Sequence, residues 1–480
     1  MLVGLRLNNH LQILRRPLVL ARTILRRTYA NNNRLEDSLE ESGVFIIHPD
    51  FRNIPKRIRV PSELAIGEAR GLVEAISSWH VMGEHIESLR RPHSKYLFGE
   101  AKLSELTWLV KNKKAENVFI NVPSISPLQQ HEFEKKFGAT VYDRFMVILK
   151  IFQERARTNE AKLQVELAEI PYLKARLNDE NLVHTSASQL RGTGETPLQV
   201  QRRVLMERET KLKQQLQHIK DKRKVTRVNR KKKEIPVVAA VGYTNAGKTT
   251  LIKQLTKEQS MQPKDQLFAT LDSTIHTGKL PCNMKVLFLD TIGFISDLPH
   301  ELVESFSTTL EDVLLADVLI HVRDVSHPLT DLHKQDVIKV LTGLNPSPSL
   351  IENMLEVHNK IDLVDTLTAE DTILPSKVPP TNEISSPSTN ETDGIPISAT
   401  QGSGIDALWN EIEETVLKAT GRQHIKFNVP SDGPQLGWLH QNSTVTAVET
   451  TNENTLQVTT VISQTSLAKY KAKFHTKQNT

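Results

Sequence analysis

The spacing of apolar residues changes several times along the chain, and each change marks a different kind of element. GVFIIHP (43–49) is a short β-branched run and predicts a strand. SELAIGEARGLVEAISSW (62–79) follows, with apolar residues at helical spacing behind Ser62, a suitable N-cap. YLFGEAKLSELTWLVKNKK, ENVFINV, SPLQQHEFEKKFG and TVYDR continue as helix, strand, helix closed by Gly138, and strand, which predicts a small α/β domain over 43–144. The period then lengthens. MVILKIFQERARTNEAKLQVELAEIPYLKARL reads as one long helix kinked at Pro171, and RGTGETPLQVQ (191–201) as a turn. A second helix spaces Leu198, Leu205, Leu212 and Ile219 seven apart with Leu216 beside them, so 145–232 is expected to be an antiparallel helical hairpin.

From 235 to 422 the pattern is of short buried strands: PVVAAV, KVLFLD, DVLIHVRD, MLEVHNK and IPISAT, each followed by loop and helical material. That predicts a doubly wound parallel sheet, an α/β fold. Within it, 366–394 is rich in Ser, Thr and Pro and is expected to be a disordered surface insertion. Residues 425–475 (KFNVP, GWLHQ, TVTAVETTNENTLQVTTVIS) predict a small α+β domain with a hairpin turned at Asn452–Asn454.

Charge adds one further segment. Residues 1–35 hold seven of the 61 basic residues, all Arg, and no acid, so the rest of the chain has 54 bases against 56 acids. An Arg-rich, acid-free, Leu-rich leader is the composition of a mitochondrial presequence, expected over 1–30 with cleavage near Tyr29–Ala30 and delivery to the mitochondrial matrix. A basic RNA-binding tail is the alternative. A second basic cluster, Lys220, Lys222, Arg223, Lys224, Arg227, Arg230, Lys231, Lys232 and Lys233, stands against Asp221 alone; it fits either a nucleic-acid contact or a solvated linker. No apolar run reaches the roughly 18–20 residues of a membrane-spanning helix, so none is expected. The single cysteine, Cys282, excludes an intrachain disulfide framework and a multi-cysteine zinc site.

The chemistry sits in the loops after the buried strands. Gly242-Tyr243-Thr244-Asn245-Ala246-Gly247-Lys248-Thr249 follows a strand and opens a helix. Its glycines let backbone N–H groups close around a phosphate, Lys248 bridges the β- and γ-phosphates, and the Thr249 hydroxyl ligates Mg²⁺. Asp290-Thr291-Ile292-Gly293 ends the next strong strand; its carboxylate can hold Mg²⁺ through water, and Gly293 lets its N–H approach the γ-phosphate. Asn359-Lys360-Ile361-Asp362 selects the base. Asp362 can accept from guanine N1–H and the 2-amino group, neither of which adenine offers. Asn359 reaches N7, the Lys360 stem covers the ring, and Ser398-Ala399-Thr400 supplies backbone N–H to the guanine oxygen. The ligand expected is therefore GTP/GDP. Phe268-Ala269-Thr270-Leu271-Asp272 lies between the first two motifs, where a hydroxyl can close over the γ-phosphate and metal; Ser273 and Thr274 compete with Thr270 for that role.

GYTNAGKTTL, LFATLDST, DTIGFISDLPHELVESF, NKID and ISAT together resemble the HflX family of ribosome-associated GTPases, and DRFMVILKIFQERARTNEAKLQVELAEIPYL with RGTGET extends the resemblance to about 43–470. It implies Thr270 as the second Mg²⁺ ligand, the large ribosomal subunit and its rRNA as partner, and subunit splitting or assembly as the task. With the leader, it points to the mitochondrial members, acting as a monomer. The family's second glycine in its N-terminal Gly-x-Gly-Lys stretch is Ala101 here, the Gly-rich run before RGTGET is SASQL, and the 366–394 insertion is longer than usual. Phe294 stands where Ras-type enzymes place the water-orienting Gln, an absence the family shares, so slow intrinsic hydrolysis is expected with Lys248, Thr270 and Gly293 as the catalytic groups. Asn245 is a candidate K⁺ contact, as in some related GTPases, or else a loop-bracing residue. A GTPase confined to large-subunit maturation and a non-hydrolysing GTP-gated scaffold are the rival functions.

Overall fold

The computed structural model describes residues 42–474 except 53–59, 90–96, 185–196, 233, 259–260, 262, 264–265, 297, 299–301, 303–304, 365–393 and 453. The leader, most of the turn at 191–201 and nearly all of the 366–394 insertion lie outside the described residues. The chain divides into two compact units, one of Met1–Glu154 with Lys162–Ile219, the other of Arg155–Ala161 with Lys220–Thr480.

The first unit holds β1 (Ser42–Phe51), α1 (Ser62–Glu74), β2 (Trp79–Leu89), α2 (Glu100–Asn112), β3 (Asn117–Ile120), α3 (Pro127–Phe137) and β4 (Thr140–Tyr142). The four strands pair in parallel in the order β2-β1-β3-β4. α3 begins as its sequence dictates: Ser126 Oγ accepts from Gln129 N at 3.3 Å, Gln129 Oε1 accepts from Ser126 N at 3.0 Å, and Pro127 takes the first helical position. One core joins Phe45, Ile47, Leu106, Val118, Phe133 and Phe137, each side chain contributing about 1.5–3 kcal/mol on burial.

The stretch expected to form one long helix is two, α4 (Arg144–Arg155) and α5 (Asn159–His184). The chain breaks at 156–158, whereas Pro171 sits inside α5 without ending it. α6 (Pro197–Lys232) follows. Leu205, Leu212 and Leu216 of the heptad set are buried, and Arg208 pairs with Glu166 at 3.0 Å across α6 and α5.

The second unit contains β5 (Val237–Gly242), α7 (Lys248–Thr256), β6 (Thr274–Lys279), β7 (Lys285–Asp290), α8 (Ser307–Leu314), β8 (Val318–Asp324), α9 (Thr330–Gly343), α10 (Pro348–Glu352), β9 (Leu355–Asn359), α11 (Ile361–Val364), β10 (Ile395–Pro396) and α12 (Ile405–Ala419). The strand order is β10-β9-β8-β5-β7-β6. The sheet is mixed rather than wholly parallel, because β6 runs antiparallel to β7. Residues 280–284 join them by a turn in which Asn283 N donates to Leu280 O at 2.8 Å, too short for the crossover that parallel strands need. Ile405, Leu408, Ile412 and Val416 recur at helical spacing on α12 and pack with Val238, Ile320 and Val357 of the sheet. β11 (Arg422–Pro430), α13 (Pro434–Asn442), β12 (Thr444–Asn452), β13 (Thr455–Ser463) and α14 (Gln464–Phe474) complete the chain as an antiparallel sheet, β11-β13-β12, carrying two helices. Tyr470 of α14 packs at 4.7 Å from Phe427 and 5.5 Å from Trp438.

Candidate functional site

Strand β5 is flanked by β8 and β7 and fully buried along its last five residues, so the loop leaving it has a fixed origin. Gly247 has φ +92°, and a Cβ there would lie 2.2 Å from Asn359 Nδ2, so only glycine fits. Lys248 opens α7 and folds back beneath the loop, its Nζ donating to the carbonyls of Gly242 at 3.1 Å and Tyr243 at 2.8 Å. Burial lowers its pKa to about 8, opposed by the nearby Asp290 carboxylate. A phosphate partner needs the protonated lysine, so above this value nucleotide binding must bring a proton with it. GDP affinity is therefore expected to be level below about pH 7 and to fall above about pH 8, approaching tenfold per pH unit. Calorimetry at pH 8.5 in buffers of differing ionisation heat checks this; binding without proton uptake would contradict it.

Asp290 ends β7, 1% exposed. Its Oδ2 accepts from Thr249 Oγ1 at 2.7 Å and Thr270 Oγ1 at 3.2 Å, and the two hydroxyls lie 2.9 Å apart. Its Oδ1 is buried with no hydrogen-bond partner, and burial raises its pKa against the stabilising Thr249 hydrogen bond. Hydroxyl and carboxylate oxygens converging beside an unpaired buried carboxylate oxygen are the donor set of a hard cation such as Mg²⁺. Thr274, the rival for the role of Thr270, bonds His276 instead, at 2.8 Å.

The cavity over these groups is lined by Asn245, Gly247, Lys248, Thr249, Thr270 and Gly293, among others. Phe268, buried at φ +54°, and Leu271, also buried, anchor the segment, and Ala269 is exposed. Asp272, assigned to the nucleotide from sequence, does not line the cavity. Its carboxylate accepts instead from Arg157 N and Thr158 N, both at 3.2 Å, and from Thr158 Oγ1 at 2.5 Å. Asn245 is exposed at φ +60°. A larger cavity of about 820 Å³ lies elsewhere, lined by Pro236, Val237, Asp317 and Arg422 among others and by none of the motif residues.

Gly293 is pressed against the phosphate loop. Tyr243 and Phe294 form a parallel bridge, with Thr244 N donating to Phe294 O at 2.6 Å and Phe294 N to Gly242 O at 3.2 Å. Thr291 Oγ1 donates to Ala240 O at 2.5 Å, and Ile292 is buried. Phe294 is itself fully buried, and both its backbone polar groups are used in this bridge. Sequence reading missed the brace behind it. Tyr243 OH is 2.8 Å from Ser296 Oγ and accepts from Ser296 N at 2.8 Å, Ser296 Oγ donates to Asp336 at 2.7 Å, and the Tyr243 ring stacks on His333 at 3.6 Å. These contacts span 53 and 40 residues, so no local spacing announces them.

The residues expected to select the base meet at the ends of β9 and β10. Asn359 Nδ2 donates to Ala246 O at 2.8 Å, and its Oδ1 accepts from Ala399 N at 3.0 Å. Lys360 pairs with Asp324 at 2.8 Å, Ile361 N donates to Ile397 O at 3.3 Å, and Asp362 is half-buried in α11. Ser398 departs from its expected role: its N–H donates to Ser403 O at 3.0 Å and its hydroxyl accepts from Gln401 N at 3.1 Å, so it builds the loop. Ala399 is buried and Thr400 exposed beside it. In the basic cluster, Lys220 pairs with Glu311 at 2.7 Å, and Arg223 with Glu160 at 2.6 Å and Asp312 at 3.0 Å.

Family models match in succession along the chain: GTP-binding GTPase N-terminal over 63–153, GTP-binding GTPase Middle Region over 155–230, and 50S ribosome-binding GTPase over 237–366. GTP-binding protein 6 of Xenopus laevis is 41% identical over 439 residues, covering 90% of this chain and 79% of that protein. GTPase HflX of Caldanaerobacter subterraneus subsp. tengcongensis is 38% identical over 346 residues, 71% of this chain and 74% of that one. Among solved structures, a GTP-binding protein from Sulfolobus solfataricus in complex with GDP aligns at 23% identity and a TM-score of 0.39, over 78% of this chain and 99% of that chain. The chain is a GTP hydrolase and belongs to the HflX-type family of ribosome-associated GTPases.

Proposed function

We propose that this GTPase works in the mitochondrial matrix, binds the large ribosomal subunit in its GTP state, separates the subunits, and leaves on hydrolysis. The observation that carries the reading is the closure of Thr270 onto Thr249 and Asp290, at 2.9 and 3.2 Å. A loop whose hydroxyl reaches the cation site is one that a γ-phosphate and Mg²⁺ can order and that loosens when the phosphate leaves. In this reading the loop Gly242–Thr249 cradles the phosphates, with Lys248 between them. Thr249 and Thr270 hold Mg²⁺, with Asp290 behind them. The Gly293 N–H meets the γ-phosphate. Asn359, Lys360 and Asp362 hold guanine, and Ala399, sharing its N–H with Asn359, faces the guanine oxygen. Mg²⁺ neutralises charge developing on the phosphates when bound. Because Phe294 can neither hydrogen-bond through its side chain nor spare its backbone, the attacking water is left to Thr270, Gly293 and the ribosome, and unstimulated turnover is slow. Asn245 is the proposed K⁺ contact, tested by exchanging K⁺ for Na⁺ in the rate assay. Lys220 and Arg223 are spent on ion pairs, so the RNA contact proposed for 220–233 rests on the other basic residues of that cluster. The Arg-rich, acid-free composition of residues 1–35 supports the matrix location, which a reporter carrying residues 1–30 tests.

The deciding experiment mixes the chain from about residue 30 onward with mitochondrial monosomes on a sucrose gradient. Subunits are expected with GTP and with a non-hydrolysable analogue, and intact monosomes with GDP. Binding to free large subunits with monosomes left whole would overturn splitting and favour assembly.

A further inference from the structure

The break between α4 and α5 is held by the loop that carries Thr270. Thr158 directly precedes α5, and its hydroxyl accepts from Ala161 N at 3.1 Å, the arrangement of an N-cap. The same hydroxyl donates to Asp272 Oδ1 at 2.5 Å, while Asp272 Oδ2 accepts from the amides of Arg157 and Thr158 at 3.2 Å. A carboxylate facing these amides also sits at the favourable end of the helix dipole. Arg155 makes a second contact with the same loop, donating to Gln266 Oε1 at 2.6 Å, and Gln266 lines the nucleotide cavity. The linker is thus joined to the loop on both sides of Thr270. It is also held from another direction, since Glu160 pairs with Arg223 at 2.6 Å and Arg223 with Asp312 at 3.0 Å. All these residues belong to the second unit. An anchored linker gripping a loop two residues from a cation-facing hydroxyl restrains where that hydroxyl can go.

We propose that Asp272 is a positioning residue: by clasping Arg157 and Thr158 it holds Thr270 over the Mg²⁺–γ-phosphate site, so the linker completes the GTP-bound form of the pocket. The inference rests on the GTP reading above and adds the group that sets the preference for triphosphate. Thr270 Oγ1 lies on Thr249 and Asp290, at the cation end of the cavity, where in this reading a γ-phosphate would join the metal, so releasing the clasp should weaken triphosphate binding and spare GDP. Asp272→Asn can keep most of the geometry, with its amide oxygen accepting from the backbone and its NH₂ donating to a rotated Thr158 hydroxyl.

The test uses the full chain with fluorescent GDP and a non-hydrolysable GTP analogue, both with Mg²⁺. Asp272→Ala is expected to weaken the analogue about tenfold and Thr158→Val roughly threefold, with GDP held within about twofold and Asp272→Asn recovering most of the loss. The KM for GTP rises more than kcat falls. Equal loss of both nucleotides, or no loss of either, would overturn the clasp. Failure of the unaltered chain to bind either nucleotide would overturn the GTP reading beneath it. Hydrogen exchange on the unaltered chain gives a readout that does not depend on how the variants fold: the amides of Arg157 and Thr158 should be better protected with the analogue than with GDP, and equal protection would count against the proposal.

Discussion

Asp362→Ala should lower GTP affinity by a factor on the order of 10³–10⁴ while leaving the fold intact, the largest effect expected of any base-contacting substitution. The loop that carries Asp362 is fixed from three directions: Asn359 Nδ2 to Ala246 O at 2.8 Å, Lys360 to Asp324 at 2.8 Å, and Ile361 N to Ile397 O at 3.3 Å. A carboxylate on so fixed a loop would accept two charge-assisted hydrogen bonds from guanine, and its removal would leave both donors of the base without their acceptor. Asp362→Asn makes the sharper test. Its amide oxygen can still accept from N1–H, but its NH₂ meets the guanine amino group donor to donor. Xanthine, with a carbonyl in place of that amino group, restores the match. Titration of the Asn variant with GTP and XTP should therefore show the preference reversed. A variant that still prefers GTP would mean that Asp362 does not read the base.

The motifs Gly242–Thr249, Asp290–Gly293 and Asn359–Asp362 could be picked out because each keeps its residues within a few positions at the end of a strand, β5, β7 and β9, whereas Phe268–Asp272 lies between α7 and β6 with no such strand before it. The fold was legible wherever elements are buried. PVVAAV and DVLIHVRD form β5 and β8, next to one another within the sheet. The strands that escaped reading are edges. β2 is buried only at Trp79, Glu87 and Leu89, and β6 only at Gly278, so neither shows a clean apolar period. The helix break was misplaced for a different reason. Pro171 is the strongest local breaker in its stretch, yet the break comes at 156–158, where Asp272 supplies hydrogen bonds from 114 and 115 residues away. Likewise Asp272 reads as part of a nucleotide motif because it stands two residues from Thr270, whereas its carboxylate turns to Arg157 and Thr158. Only tertiary structure separates a residue that faces the ligand from one that holds the loop.

Gly293→Ala is expected to cut kcat for GTP hydrolysis by about 10²–10³ while GDP affinity stays within about threefold. The cause is close approach. A Cβ on Gly293 would lie 2.8 Å from Thr244 Cα and 3.2 Å from Lys248 Nζ. The first of these is backbone and cannot rotate away. Nor can the loops part easily, because Thr244 N–Phe294 O at 2.6 Å and Phe294 N–Gly242 O at 3.2 Å tie them together on the next residue, and Tyr243, Ser296 and Asp336 brace them at 2.7–2.8 Å. Relief must come from displacing Gly293, which draws its N–H away from the γ-phosphate or pushes Lys248 aside. GDP has no γ-phosphate and depends on the remaining amides of the phosphate loop, so its binding survives. Single-turnover hydrolysis beside GDP titration separates the two effects. Unchanged turnover would show that the transition state does not use this N–H. Equal loss of GDP binding would mean instead that the methyl group has deformed the phosphate loop itself, since Thr244 and Lys248 belong to it.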